Sequence, residues 1–142
     1  MAANTANTSP IFTNKGNFFP VRLTYNNPAS DGSGTVSTLV TAGVDGTRVD
    51  GVRFRNSQVV AAASSAMVHR IYISGTAGTN YRLIGEVATA TATRNTTTVG
   101  ATSLFTFDQP IIMLSGQLLG VNQSVYAGAQ DQFDAVAYAS DY

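Results

Sequence analysis

The chain has 142 residues, no cysteine, and eight basic against eight acidic residues, which together make up only 11% of the sequence. That length suits one compact domain with its own core, and the missing thiols exclude disulfides, cysteine nucleophiles and every cysteine-ligated metal or cluster. Eight bases offset by eight acids and scattered from Lys15 to Arg94 form no phosphate-binding stripe, so nucleic acid is not an expected partner.

No apolar run approaches the ~20 residues that cross a bilayer, and Met1 to Ser9 has neither the basic nor the apolar part of a signal peptide. The expectation is a soluble chain with no membrane partner. Low charge and a wealth of Thr, Ala, Ser, Asn and Gly suit strands, tight turns and close subunit packing, and weak net repulsion favours assembly.

Residues 1–17 are small and polar, with Ile11 and Phe12 as apolar anchors, and read as an N-terminal arm, either frayed or ordered on a neighbouring subunit. Residues 18–142 read as one β domain. From Phe19 to Tyr25, Phe19, Val21, Leu23 and Tyr25 alternate with Pro20, Arg22 and Thr24, the period of a half-buried strand, with Pro20 marking its start or a sheet edge. Asn26 to Gly34 is a loop. A strand over Thr35–Ala42, a turn at Asp45-Gly46 and a strand over Thr47–Arg55 follow, the last with Val52 and Phe54 on one face and Arg53 and Arg55 on the other.

Asn56 to Ser65 has the chain's one serious helix potential and fits an irregular connection equally well. Met67–Ser74 is a strand with Met67, His69, Ile71 and Ile73 on one side and Val68, Arg70 and Tyr72 on the other. Across the turn Gly75–Asn80, Tyr81–Val87 returns as its hairpin partner. Ala88–Gly100 is a Thr- and Ala-rich connection or edge strand. Strands over Leu104–Phe107, Pro110–Leu114, Leu118–Tyr126 and Phe133–Ala139 complete the chain. About eight strands at short intervals predict an antiparallel β-sandwich, jelly-roll-like, behind an extended N-terminal arm.

Catalysis needs converging titratable groups, and the chain offers one histidine, one glutamate and one lysine. His69, alternating with Met67, Ile71 and Ile73, reads as a core or interface histidine satisfied by a backbone partner. Glu86 reads as the cross-strand ion-pair partner of Arg70. Asp31, Asp45 and Asp50 beside glycines read as turn residues, with no calcium loop, and no glycine pattern cradles a phosphate. Sequon matches at Asn7, Asn95 and Asn122 are chance matches in so Asn- and Thr-rich a chain. The expectation is therefore no catalytic residue, no cofactor and no metal.

The order of segments is distinctive: Val52-Arg53-Phe54-Arg55, then His69 to Ile73, then Tyr81 to Val87, a Thr/Ala-rich connection, Leu114 to Val121, and the terminal Phe133 to Tyr142. Over roughly residues 47–142 this resembles small virion proteins of tailed bacteriophages that decorate or cement the capsid. The resemblance implies a jelly-roll bound to the outer capsid surface, the major capsid protein as partner and homo-oligomerisation, often as a trimer. It also implies a structural, non-enzymatic role in the virion after synthesis in the host cytoplasm. Ile11, Phe12, Arg53, Arg55, Arg70 and Tyr72 are the expected partner contacts. A tail, collar or head-fibre component is the alternative virion position, and a carbohydrate-binding jelly roll, with six tyrosines but no tryptophan, is the alternative class.

Overall fold

A computed structural model describes residues 15–16, 20–58, 61–76 and 79–142. The described residues form nine strands: β1 (Lys15–Gly16), β2 (Val21–Leu23), β3 (Ser37–Thr41), β4 (Thr47–Asn56), β5 (Met67–Thr76), β6 (Arg82–Thr89), β7 (Thr102–Met113), β8 (Gln117–Gln123) and β9 (Phe133–Asp141). One turn of 3-10 helix, Ala129–Asp131, precedes β9.

The strands make two antiparallel sheets. One runs β1-β9-β4-β7, with β2 also paired to β9, and the other runs β3-β8-β5-β6. From β2 onward each connection except the β5–β6 hairpin crosses between sheets, so that β2, β9, β4 and β7 face β3, β8, β5 and β6, which is the strand order of a jelly roll. The predicted all-β sandwich is the observed fold. Residues 15–16, assigned to the arm, pair with Asp141 and Ser140 at the sheet edge. The rest of the arm, Ile11 and Phe12 included, lies outside the described residues.

Period-two alternation explains where the core sits. Thr47, Val49, Val52 and Phe54 of β4 turn inward, as do Phe133, Ala135, Ala137 and Ala139 of β9, and they meet Ile71, Leu119, Val121 and Val40 of the other sheet. Each fully buried Leu, Val, Ile or Phe contributes roughly 1.5–3 kcal/mol over its exposed state. The alanines of β9 add little area but let the facing layer approach closely.

The structure departs from the sequence expectations within β4 and β7. Leu104–Phe107 and Pro110–Leu114 are not separate strands but one, β7, because the register against β4 jumps from Gly51↔Thr106 to Val49↔Ile111. The intervening residues 107–110 bulge from the edge opposite Asp50, and Pro110, which cannot donate to a ladder, falls in that bulge. Asp50-Gly51 accordingly lies inside β4 at the irregularity and is not a turn. Of the two readings left open for 56–65, the described residues take the irregular connection, with Ala63 bridging to Thr93. β5 itself keeps the predicted alternation, since the register shift between Ile71 and Tyr72 leaves the extra residue, Ile84, on β6, and Tyr72 on the outer side is fully buried because the chain covers it there.

Candidate interaction surface

The two sheets treat their outer faces differently. Over β5 and β8 the chain lays its own loop, residues 26–36. Asn27 organises it: its Nδ2 donates to Ser33 O at 2.8 Å and Thr35 O at 2.9 Å, and its Oδ1 accepts from Ala29 N at 3.1 Å. Two side chains of β5 fasten the loop down. Arg70 donates through Nη1 to Asn27 O (3.2 Å) and Ala29 O (3.3 Å) while its Nε donates to Glu86 Oε1 at 2.8 Å. The Tyr72 hydroxyl donates to Ala29 O at 3.1 Å and accepts from Asn122 Nδ2 at 3.0 Å. Burial raises the Tyr72 phenol above its ordinary pKa. Val36 and Tyr81 then press so closely on Gly120 that any Cβ there would stand 2.5 Å from Val36 Cγ1.

Arg70 and Tyr72 are therefore fasteners of this loop. The Arg70 side chain is only 12% exposed and Tyr72 is 0% exposed, so in this structure neither offers its side chain to a partner as the sequence reading expected. The expected ion pair between Arg70 and Glu86 is present, with the two residues directly opposite in the β5–β6 register.

No loop of the described residues covers the outer face of the other sheet in this way. The registers of β2, β9, β4 and β7 arrange it in rows. Arg22, Asp134, Arg55 and Thr102 form one row, Val136, Arg53 and Leu104 the next, then Tyr138, Gly51 and Thr106, and finally Ser140, Arg48 and Ile112. Leu104 and Ile112 are each 52% exposed and Tyr138 is 38% exposed. Arg22 pairs with Asp134 at 3.0 Å and Arg48 with Asp50 at 2.7 Å, and these bonds hold both guanidinium groups above their ordinary pKa.

Arg53 and Arg55 have no carboxylate partner among the described residues, and Arg53 Nε is buried without a hydrogen-bond acceptor. Two unpaired cations set among half-exposed apolar side chains are the composition of a protein-contact surface, where arginine and tyrosine are enriched. Arg53 and Arg55, singled out in the sequence, fall here together. Leu104, Val136, Tyr138 and Ile112 were missed there, although the alternation of Phe105 and Phe107 already implies that Leu104 points outward.

Inside the sandwich the ionisable and amide groups serve structure. His69 is 0% exposed, stacked on Phe54 with ring centroids 4.3 Å apart and tilted against Phe133 at 4.6 Å. Its core placement matches the sequence reading, but neither ring nitrogen has a hydrogen-bond partner, so the expected backbone acceptor is absent. Burial pushes its pKa down to about 3.

The fully buried Asp131 ties three segments together. Its carboxylate accepts from Ser65 N at 2.6 Å, Ser65 Oγ at 3.0 Å and Ala127 N at 2.7 Å, while its carbonyl accepts from Gln123 Nε2 at 3.0 Å. Among the described residues, no group of three or more His, Cys, Asp or Glu is placed to hold a metal ion. Asn122 is buried beneath Tyr72, and Asn95 spends its Oδ1 on Thr97 N, Thr97 Oγ1 and Thr98 N, so two of the three sequon asparagines have structural duties.

No protein-family model, curated protein or solved structure matches this chain.

Proposed function

We propose that this chain is a structural virion protein of the capsid-decorating type, which works by binding protein surfaces and transforms no substrate. The observation that carries this reading is the outer face of the β2-β9-β4-β7 sheet, which the described residues leave uncovered and on which they give Arg53 and Arg55 no carboxylate partner among Leu104, Val136, Tyr138 and Ile112, while the opposite face is closed by the chain's own loop. A monomer that functions alone in solution gains nothing from half-exposed leucine and isoleucine on a flat sheet, whereas a subunit of an assembly buries them.

Further support comes from the use of the polar groups. Asp131, Arg70 and Tyr72 are engaged in bonds that hold loops, and His69 sits between aromatic rings, which leaves no converging set of acid, base and nucleophile among the described residues. The resemblance of residues 47–142 to capsid decoration proteins supplies the partner class, a major capsid protein arrayed in many copies. On such a lattice each contact can be modest, because repetition multiplies its effect.

Co-sedimentation tests this reading. The purified chain is expected to pellet with assembled capsids and to remain in the supernatant with dissociated capsid subunits. Retention on a glycan matrix with no capsid binding would overturn it in favour of a carbohydrate-binding jelly roll, and binding confined to tails or collars would overturn the capsid position.

A further inference from the structure

We infer that Arg53 and Arg55, on the sheet face that the described residues leave uncovered, receive two carboxylates carried at alternate positions of an extended segment of a protein partner, with an apolar side chain of that segment packed against Leu104 and Tyr138. This rests on reading that face as the chain's binding surface, and it names the chemistry of the partner.

Charge is unevenly matched on this face. Arg22 and Arg48 are neutralised locally, by Asp134 at 3.0 Å and Asp50 at 2.7 Å. Asp134 lies opposite Arg55 in the β4–β9 register, yet its carboxylate is bonded to Arg22. Asp108 stands exposed in the bulge at the β7 edge, beyond the Gly51–Thr106 pair, and forms no ion pair with either arginine of the strip. Arg53 and Arg55 therefore lie together on β4 with no carboxylate among the described residues to neutralise them. Arg53 is half-buried between Val136 of β9 and Leu104 of β7, and its Nε has no acceptor. A guanidinium already stripped of part of its water gains more from a carboxylate at its Nη atoms than a fully solvated one does.

Spacing and surroundings give the partner its form. Arg53 and Arg55 are two residues apart on one strand, so their side chains leave the same face about 6.6 Å apart. An extended segment repeats at the same interval, and carboxylates two residues apart on it meet both guanidinium groups at once, each through a charge-assisted hydrogen bond. Leu104 is 52% exposed in the row of Arg53, and Tyr138 is 38% exposed in the next. A polypeptide can set a hydrophobic side chain beside its carboxylates and bury both, whereas the phosphates of a nucleic acid would leave them uncovered. Two unpaired cations also fall short of the basic stripe that a phosphate backbone requires.

Titration of the full chain with short peptides, followed by amide chemical shifts, tests the assignment. The probe is the end-blocked peptide Leu-Thr-Glu-Thr-Glu-Thr-Leu, and its control replaces both glutamates by glutamine. The glutamate peptide is expected to bind about tenfold more tightly than the control and to shift the amides of Arg53, Arg55 and Leu104 most. Arg53→Gln combined with Arg55→Gln is expected to abolish that preference, whereas Arg82→Gln, which alters an exposed arginine of the other sheet, leaves it unchanged. Circular dichroism of each variant separates loss of binding from loss of fold. Equal binding of the two peptides, binding of neither, a preference that survives in the folded double variant, or tighter binding of a short DNA duplex than of the glutamate peptide overturns the inference. A chain that pellets with capsids but does not distinguish the peptides would defeat this inference and leave the proposed function standing, whereas one that selects the glutamate peptide and ignores capsids would do the reverse.

Discussion

An imidazole packed between two phenyl rings has nothing with which to share a proton. Burial holds the His69 pKa at about 3 against an ordinary 6.5, so between those values the unfolded chain binds a proton that the folded chain refuses. The contribution of this residue to stability is therefore intact above pH 6.5 and falls by about 1.4 kcal/mol per pH unit below it, down to about pH 3. Urea midpoints followed from neutral to acidic pH are expected to fall more steeply for the wild type than for His69→Phe, which keeps the aromatic stack and removes the titration. Parallel curves would contradict this placement of the ring. Asp131 presents the opposite case, a buried carboxylate whose bonds are all made. Asp131→Ala leaves two backbone N–H groups and the Ser65 hydroxyl without their acceptor, at a cost of about 3 kcal/mol or more. Thermal unfolding of the variant measures that loss.

At the scale of elements, most of the strands were legible because alternation is a local property. Val52 and Phe54 against Arg53 and Arg55, and Met67, His69 and Ile71 against Val68 and Arg70, take the faces that their spacing predicts. Legibility ends where a bulge intervenes, since one extra residue reverses every later side chain. At residues 107–110 the bulge made one strand read as two, whereas Tyr72 keeps the side that its spacing from Arg70 predicts and only its burial under the loop was out of reach. The loop of residues 26–36 was recognisable as a loop, but that Asn27, Arg70 and Tyr72 fold it over the sheet depends on contacts distant in sequence. The bulge offers its own test. A Cβ on Gly51 would stand 2.5 Å from the Phe105 carbonyl oxygen, an atom of the paired backbone that cannot rotate away. Gly51→Ala is expected to lower stability by roughly 2–4 kcal/mol and to increase amide exchange along β7 before other strands, in keeping with a disrupted ladder. Unchanged exchange at Leu104 and Thr106 would show that β4 and β7 do not approach as described.

For the molecule as a whole, the decisive feature is an asymmetry that composition could not display. Both sheets have the same inward alternation, yet one outer face is sealed by the chain's own loop through Arg70 and Tyr72 and the other is left with Arg53, Arg55, Leu104, Tyr138 and Ile112. The sequence alone could name the arginines but had no means to divide the three of them between a sealed face and one that the described residues leave uncovered. Under the proposed function, that division directs binding to one side of the sandwich. Hydroxyl-radical footprinting of the chain, first free and dilute and then in its assembled state, examines this most directly. Protection is expected at Leu104, Ile112 and Tyr138, with little change at Pro28 and Tyr81 of the sealed side. Protection confined to Pro28 and Tyr81, with the bare face as reactive as before, would contradict the account.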